Sequence, residues 1–265
     1  MTIKINKWGA NQEGISIGDN LIIWRYMDFS KFVSMLDTNS LYFSRCDLLG
    51  DCFEGSYPKH TLVNRDNIMN DIVEEFNAKG LHVTFPAAEK KFGYLESISY
   101  MFEWQRKWTY INCWHISEYE SAALWKLYAR SNDAIAVQTK VGALKSNVPS
   151  TTEIVEVKYI DYSSTVVPGF QYFRPDHYKR ISFSHERELR AIIREFPVKE
   201  NYVDVGKDND VTGKYIRVRL NDLIGKVYVA PMAPDWFRNL VENVMVKYDL
   251  RKELVKSSLD EAPLF

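Results

Sequence analysis

Apolar residues along the chain fall into short blocks whose spacing separates strands from helices. Leu21-Ile22-Ile23-Trp24-Arg25-Tyr26 is a nearly unbroken apolar run of strand length, which predicts a buried strand. Phe32, Val33 and Leu36 then recur at helical spacing. Asp28 or Ser30 can cap this helix, predicted over Lys31–Asp37, because a short side-chain oxygen satisfies the first free backbone N–H groups. Leu41-Tyr42-Phe43 predicts a second strand. Ile68, Ile72, Val73 and Phe76 predict a helix over 66–79, stopped by Gly80. An aromatic-rich helix is predicted from Pro86 to Trp108, since proline at a first helical position gives up a hydrogen bond that position never makes. Residues 109–115 read as a strand, and Ser117-Glu118-Tyr119-Glu120 fits a capping box for a helix running to about Ala129. Further strands are predicted at Ala134–Val137, Glu153–Tyr159, Glu188–Arg194, Tyr215–Leu220 and Lys226–Val229. Pro234 opens a helix through Tyr248, with Trp236, Leu240, Val244 and Tyr248 as its core stripe.

Helices gather in the middle of this order and strands flank them. The expectation is an α+β fold with a mixed, mostly antiparallel sheet and a helical insertion at about 65–130, because regular alternation of strand and helix is missing. The weakest boundaries, Lys145–Thr152 and Lys199–Gly213, are short enough to be surface loops. At roughly 100–200 residues per domain, 1–265 is expected to be one domain.

Composition narrows the function classes. Apolar residues are 46% and charged residues 26%, which excludes a disordered chain or a coiled coil. The net charge is −1, so no bulk basic field drives nucleic-acid binding by counterion release. No apolar run approaches the roughly 18 residues of a membrane helix. The start, Met1-Thr2-Ile3-Lys4, carries no apolar signal core, so a cytoplasmic protein without a membrane anchor is expected. Cys46, Cys52 and Cys113 are an odd number and read as reduced thiols. Aromatic residues reach 14%, enough to fill a core and still line a pocket.

Phosphate-loop, dinucleotide-fingerprint, zincin and hydrolase-elbow motifs are absent. Cys46, Cys52, Cys113 and His115 lack zinc-site spacing, so no metal site is expected; the cysteines read as small buried hydrophobes. His185, between serine and glutamate, is a surface residue or a proton carrier. Asp47, Asp51 and Glu54 make a small acidic loop, which is a solvated turn, a metal site or a contact to a ribose hydroxyl. Trp125 and Tyr128 share a helix face, for core packing or for ligand stacking.

Three polar groups stand out against their apolar surroundings: Arg25 late in its strand, Ser44-Arg45 behind Leu41–Phe43, and Glu186-x-Glu188-x-Arg190. A charge at the end of an apolar strand is expensive unless paired or set at a cleft. One reading is a structural ion pair, with Arg25 or Arg190 against Glu186 or Glu188. The other joins all three. An arginine and a serine on neighbouring strands can hold the phosphates and ribose of a dinucleotide, and a glutamate across the cleft can stabilise the oxocarbenium ion left as nicotinamide departs. Trp24, Tyr26, Tyr42 and Phe43 are the rings available for stacking.

The order Arg25, Ser44, Glu186-x-Glu188 resembles that of the ADP-ribosyltransferase superfamily, where a first-strand Arg or His precedes a second-strand Ser or Tyr and a later Glu or Q/E-x-E. That resemblance implies a split sheet. A second resemblance covers nearly the whole chain, to a bacterial family catalogued as domain of unknown function twenty-nine seventy-one. It is carried by Trp24-Arg25-Tyr26, Leu41-Tyr42-Phe43-Ser44, Gly50-Asp51-Cys52-Phe53-Glu54, Cys113–Glu118, Leu124-Trp125-Lys126-Leu127-Tyr128-Ala129 and Phe183–Arg190. It extends through Val229-Ala230-Pro231 and Val255–Leu259 to Pro263. Two departures fall in the acidic loop, where Gly50 replaces the usual Asn and Cys52 the usual Pro.

Together these imply an ADP-ribosyltransferase-like enzyme using NAD as substrate, a toxin or phage-defence effector. Glu188 is then the catalytic carboxylate and Glu186 orients the acceptor, which is a protein, a nucleic-acid base or water. Arg25, Ser44, Tyr42, Tyr26 and Trp125 bind NAD. One alternative is a non-catalytic sensor or partner-binding protein of a bacterial defence system, with Arg25, Glu186 and Arg190 as a structural network. Another is a metal-dependent nuclease using Asp47, Asp51, Glu54 and Glu188 with Mg²⁺.

Overall fold

The Leu21–Tyr26 run becomes strand β1 (Ile22–Asp28), and its last residue starts the next element. The Asp28 carboxylate accepts the Lys31 backbone N–H at 2.8 Å and so caps helix α1 (Phe29–Thr38). Asn39 ends α1 in the left-handed region, with φ 47°, and turns the chain into β2 (Ser40–Arg45). The computed structural model describes residues 17–58, 61, 77–78, 80, 94–128, 133–167, 174–199, 202–261 and 263. Most of the helix expected over 66–79, and the start of the one expected from Pro86, lie outside these residues.

The further helices are α2 (Tyr94–Lys107), α3 (Ala122–Tyr128), α4 (Val141–Asn147), α5 (Leu220–Leu223) and α6 (Asp235–Lys247). The further strands are β3 (Thr109–Ile116), β4 (Ala134–Lys140), β5 (Glu153–Glu156), β6 (Lys158–Ile160), β7 (Tyr178–Arg180) and β8 (Glu188–Arg194). They continue with β9 (Val198–Lys199), β10 (Tyr202–Val203), β11 (Gly213–Arg217), β12 (Lys226–Val229) and β13 (Glu253–Lys256). The fold is α+β. Nine of these strands form one mixed sheet, antiparallel except where β12 meets β13. The helical span expected at 65–130 is interrupted by β3, the strand around which this sheet is organised.

The sheet forks at β3. One edge of β3 pairs with β8 from Thr109 to His115. The other edge is shared: Ile111 and Tyr110 pair with Ser44 and Arg45 of β2, while His115 and Ile116 pair with Trp24 and Ile23 of β1. β1 and β2 therefore leave β3 at opposite ends and a gap opens between them. Strand alternation sorts the rest. Ile23, Met27, Phe43, Trp114, Val137, Leu189 and Val227 pack with α1 and α6 in the main core. Trp24 and Tyr26 face the other way, under Leu124 and Trp125 of α3.

Several expectations are corrected. On α6 the buried residues are Phe237, Val241 and Met245, one position after the expected stripe; of that stripe Val244 and Tyr248 pack half-buried against the core, while Trp236 is 64% exposed. The two stripes are parallel rows on one helix, and packing against the sheet selects the second. Helix α3 is capped by the Ser121 hydroxyl, which accepts the Leu124 N–H, and not by a Ser117–Glu120 box. Glu120 instead accepts from Trp125 Nε1 at 2.9 Å and from the Ser257 hydroxyl at 2.6 Å. The strand expected over Glu153–Tyr159 breaks at Val157, whose N–H binds the Glu188 carbonyl. The strand expected over Tyr215–Leu220 ends at Arg217, before α5. Among the described residues no helix is long and apolar enough to cross a membrane.

Candidate functional site

A cavity of about 700 Å³ occupies the fork, a volume ordinary for a small-molecule site. Because it enters between strands, residues from both faces of the sheet line it: Arg25 and Trp114 from the core side, Tyr26, His115 and Glu188 from the other. Tyr42, Ser44, Cys113, Tyr128, Glu186 and Tyr215 also line it.

Arg25 is out of phase with the polar face. Alternation places it with Ile23 and Met27 on the core side, but β1 has already left β3 there, and its guanidinium lines the gap. Nη2 makes a long 3.5 Å contact to the Tyr42 carbonyl. Nη1 is buried without a hydrogen-bond partner among the described residues. Burial lowers the Arg25 pKa, and the groups that act on it are a thiol, Cys113, and a phenol, Tyr128, with no carboxylate to compensate among the described residues. Arg25 is half-buried, and a partly desolvated cation with an unused donor is unfavourable until an anion arrives.

The opposite wall carries a dense charge network. Arg190, fully buried, donates from Nε to Glu188 at 3.1 Å, from Nη1 to the Asp176 carbonyl at 2.7 Å, and from Nη2 to Glu54 at 2.7 Å. Lys179 Nζ lies 3.0 Å from Glu54, 2.5 Å from Glu186 and 3.4 Å from Glu188. Burial alone pushes the Glu188 carboxyl up, but the Arg190 guanidinium and Lys179 ammonium outweigh it and hold the pKa at about 2. The same carboxylates raise the pKa of Lys179 against the effect of its burial. Burial, with Glu188 beside it, pushes the Cys113 thiol up, so it stays protonated and donates to Glu188.

The short link between Glu186 and Glu188 is backbone-controlled. Arg187 adopts a left-handed conformation, φ 39°, and its carbonyl accepts the Ile116 N–H at 2.9 Å. His115 Nδ1 lies 2.6 Å from the Glu186 carbonyl, an acceptor only, so Nδ1 carries the proton. Burial lowers the His115 pKa and keeps the ring neutral near pH 7. Tyr159 accepts the Glu188 N–H at 2.8 Å. Glu188 is thus fixed at both its backbone and its carboxylate.

The fork brings together Arg25, Tyr26, Tyr42, Ser44, Glu186 and Glu188. The Ser44 hydroxyl is lightly engaged, with one 3.5 Å contact to the Arg45 carbonyl. The Tyr26 hydroxyl accepts the Ser121 N–H at 2.7 Å. Trp125 is corrected: it is 3% exposed, lies behind Tyr26 with ring centroids 5.0 Å apart, and does not line the cavity, whereas Tyr128 does. Phe43 is likewise core. The expected ion pair forms from Arg190 and Glu188, while Arg25 stands apart from it. The acidic loop does not converge as a nuclease requires. Asp47 pairs with Arg45, Asp51 with Arg180, and Glu54 with Lys179 and Arg190. Among the described residues no group of three His, Cys, Asp or Glu is placed to hold a metal ion.

Sequence reasoning missed Lys179, a single cation gathering three carboxylates, and Tyr159 beneath Glu188. Lys179 lies on β7, too short for an alternation signal, and Tyr159, although in an expected strand, reaches Glu188 through a contact 29 residues apart in the chain. In comparisons with known proteins, no family model, no curated protein and no solved structure matches this chain.

Proposed function

We propose that this chain is a cytoplasmic ADP-ribosyltransferase-like enzyme that consumes NAD. One observation carries the reading: an arginine that has no counter-ion among the described residues and an ionised glutamate line a single cavity at the fork of the sheet. NAD has the complementary charge pattern, an anionic pyrophosphate at its centre and a cationic pyridinium at one end. Arg25 takes the pyrophosphate, Ser44 a ribose or phosphate oxygen, and Glu188 faces the nicotinamide ribose. The fork supports a split sheet of the ADP-ribosyltransferase kind. A role as a toxin or phage-defence effector goes with this reading and draws on the sequence resemblances alone.

The chemistry asks for positioned charge and little else. The bond from ribose C1′ to the pyridinium nitrogen breaks, and its electron pair leaves with nicotinamide, which becomes neutral. The positive charge passes to the ribose as an oxocarbenium ion beside Glu188, a carboxylate held ionised at any physiological pH. The acceptor's lone pair then forms the new bond at C1′, and its proton passes to water. Glu186, half-buried beside Lys179, orients the acceptor.

The test is nicotinamide release from NAD, in buffer and with cell lysate supplying acceptors. The unaltered chain is expected to release nicotinamide, and Glu188→Asp, which keeps the charge but withdraws it from the ribose, to slow release about 100-fold. Absence of release under both conditions overturns the enzymatic reading. A second reading, a sensor that binds the dinucleotide without cleaving it, is favoured by one observation: both Glu188 oxygens are already engaged by cations. It is identified by NAD raising the melting temperature with no nicotinamide formed.

A further inference from the structure

The edge strand β11 carries a glycine that decides where an aromatic ring lies. In the β2–β11 ladder Gly213 stands opposite Ser44, and Tyr215 opposite Tyr42. The Tyr42 ring leans diagonally across Gly213. A Cβ at Gly213 would come within 2.2 Å of the Tyr42 hydroxyl and 2.7 Å of the Phe43 carbonyl oxygen, so any side chain there displaces the ring and presses on the backbone of β2. On its other flank Tyr42 packs against Tyr215, with centroids 5.1 Å apart and planes inclined by 58°. Both rings line the cavity, yet Tyr42 is 37% and Tyr215 57% exposed. The Tyr42 carbonyl also accepts from Asn112 Nδ2 at 2.9 Å and contacts Arg25. One residue therefore orients the unpaired cation through its backbone and walls the cavity with its ring.

We infer that Tyr42 and Tyr215, set in place by Gly213, form a stacking wall for a nucleobase whose phosphates lie on Arg25. This rests on the reading of the fork as a dinucleotide site and adds to it the groups that select nucleotides over simple polyphosphates. A ring already laid flat loses little freedom when a base stacks on it. Stacking on an aromatic side chain tolerates any base, so the wall supplies affinity without choosing adenine over other bases.

Calorimetric titration of the whole chain with NAD, ADP and inorganic pyrophosphate tests this. Tyr42→Leu and Tyr215→Leu keep the backbone groups and should each weaken NAD and ADP about ten-fold while leaving pyrophosphate unchanged. Gly213→Ala should do the same although both tyrosines remain. Unchanged NAD affinity in both leucine variants overturns the wall and leaves the dinucleotide reading standing. Equal losses for pyrophosphate and NAD also overturn the wall, since the rings would then be packing elements alone. Binding of pyrophosphate but of neither nucleotide by the unaltered chain overturns the wall and the dinucleotide reading together.

Discussion

Arg190 and Arg25 are the same residue type in opposite circumstances. Arg190, on β8, is fully buried and every one of its guanidinium nitrogens donates: to Glu188, to Glu54 and to the Asp176 carbonyl. Arg25, on β1, has one long contact and one buried nitrogen with no partner. The first holds three elements of the chain together. The second makes one long contact to a backbone carbonyl among the described residues, and it lines the cavity at the fork. Burial of a charge is therefore not the mark of a ligand site here; a missing counter-ion is.

The comparison is broken most directly at Arg190. Arg190→Met keeps an unbranched apolar stem and removes the guanidinium, leaving Glu54 and Glu188 buried with Lys179 as their remaining cation. Removing one partner of a buried pair is expected to destabilise the fold by about 3–5 kcal/mol, read from urea unfolding. A loss under about 1 kcal/mol would mean that the network is relaxed by water and that the contrast with Arg25 is one of degree.

Acid sharpens the same contrast. The Glu188 carboxyl lies at about 2 in the folded chain against an ordinary 4.5. A depressed pKa stabilises the fold at pH values above 4.5, and that contribution is lost as pH falls from 4.5 towards 2. Its size is on the order of 3 kcal/mol. Unfolding free energies measured between pH 7 and pH 3 should fall more steeply for the unaltered chain than for Glu188→Gln. Equal slopes would remove Glu188 from the acid limb and leave Glu153, whose pKa is lowered mainly by Arg194 against its burial, as the group responsible.

How much of this was legible in the residues varies with the length scale of the cause. Asp28 caps α1 because an N-cap acts within three residues, and such a signal is local. The Glu186-x-Glu188 pair, Arg25, Tyr42 and Ser44 were visible as polar groups in apolar strands, and they do meet. A split sheet followed only from the resemblance, and the fork that makes them meet was not visible in the residue pattern itself. It depends on which half of β3 bonds β1 and which bonds β2, and no local pattern encodes a register between strands so far apart in the chain. Phe237 and Trp236 show the same limit on a helix. Both rows have the right period, and only the sheet beneath α6 decides that Phe237 is buried. Trp125 failed in the other direction: its helix position was read correctly, but it packs edge-on against Tyr26 and Tyr26 alone of the two lines the cavity.

The smallest expected effect is the most diagnostic. Arg25→Met replaces a cation that has no counter-ion among the described residues with a shorter, unbranched apolar side chain. If Arg25 were structural in the way Arg190 is, the change would destabilise the fold by several kcal/mol. The geometry gives the opposite sign. The long Tyr42 contact is all the described hydrogen bonding that is lost, while the desolvation of a charge is relieved, so stability should hold or rise by on the order of 1 kcal/mol. Asn112 still satisfies the Tyr42 carbonyl at 2.9 Å, so the fork keeps its shape. Inorganic pyrophosphate should raise the melting temperature of the unaltered chain and leave that of Arg25→Met unmoved, because mass action needs a site that the variant lacks. A variant that melts several degrees lower than the unaltered chain, or that responds equally to pyrophosphate, would make Arg25 a second Arg190 and remove the cation from the ligand site.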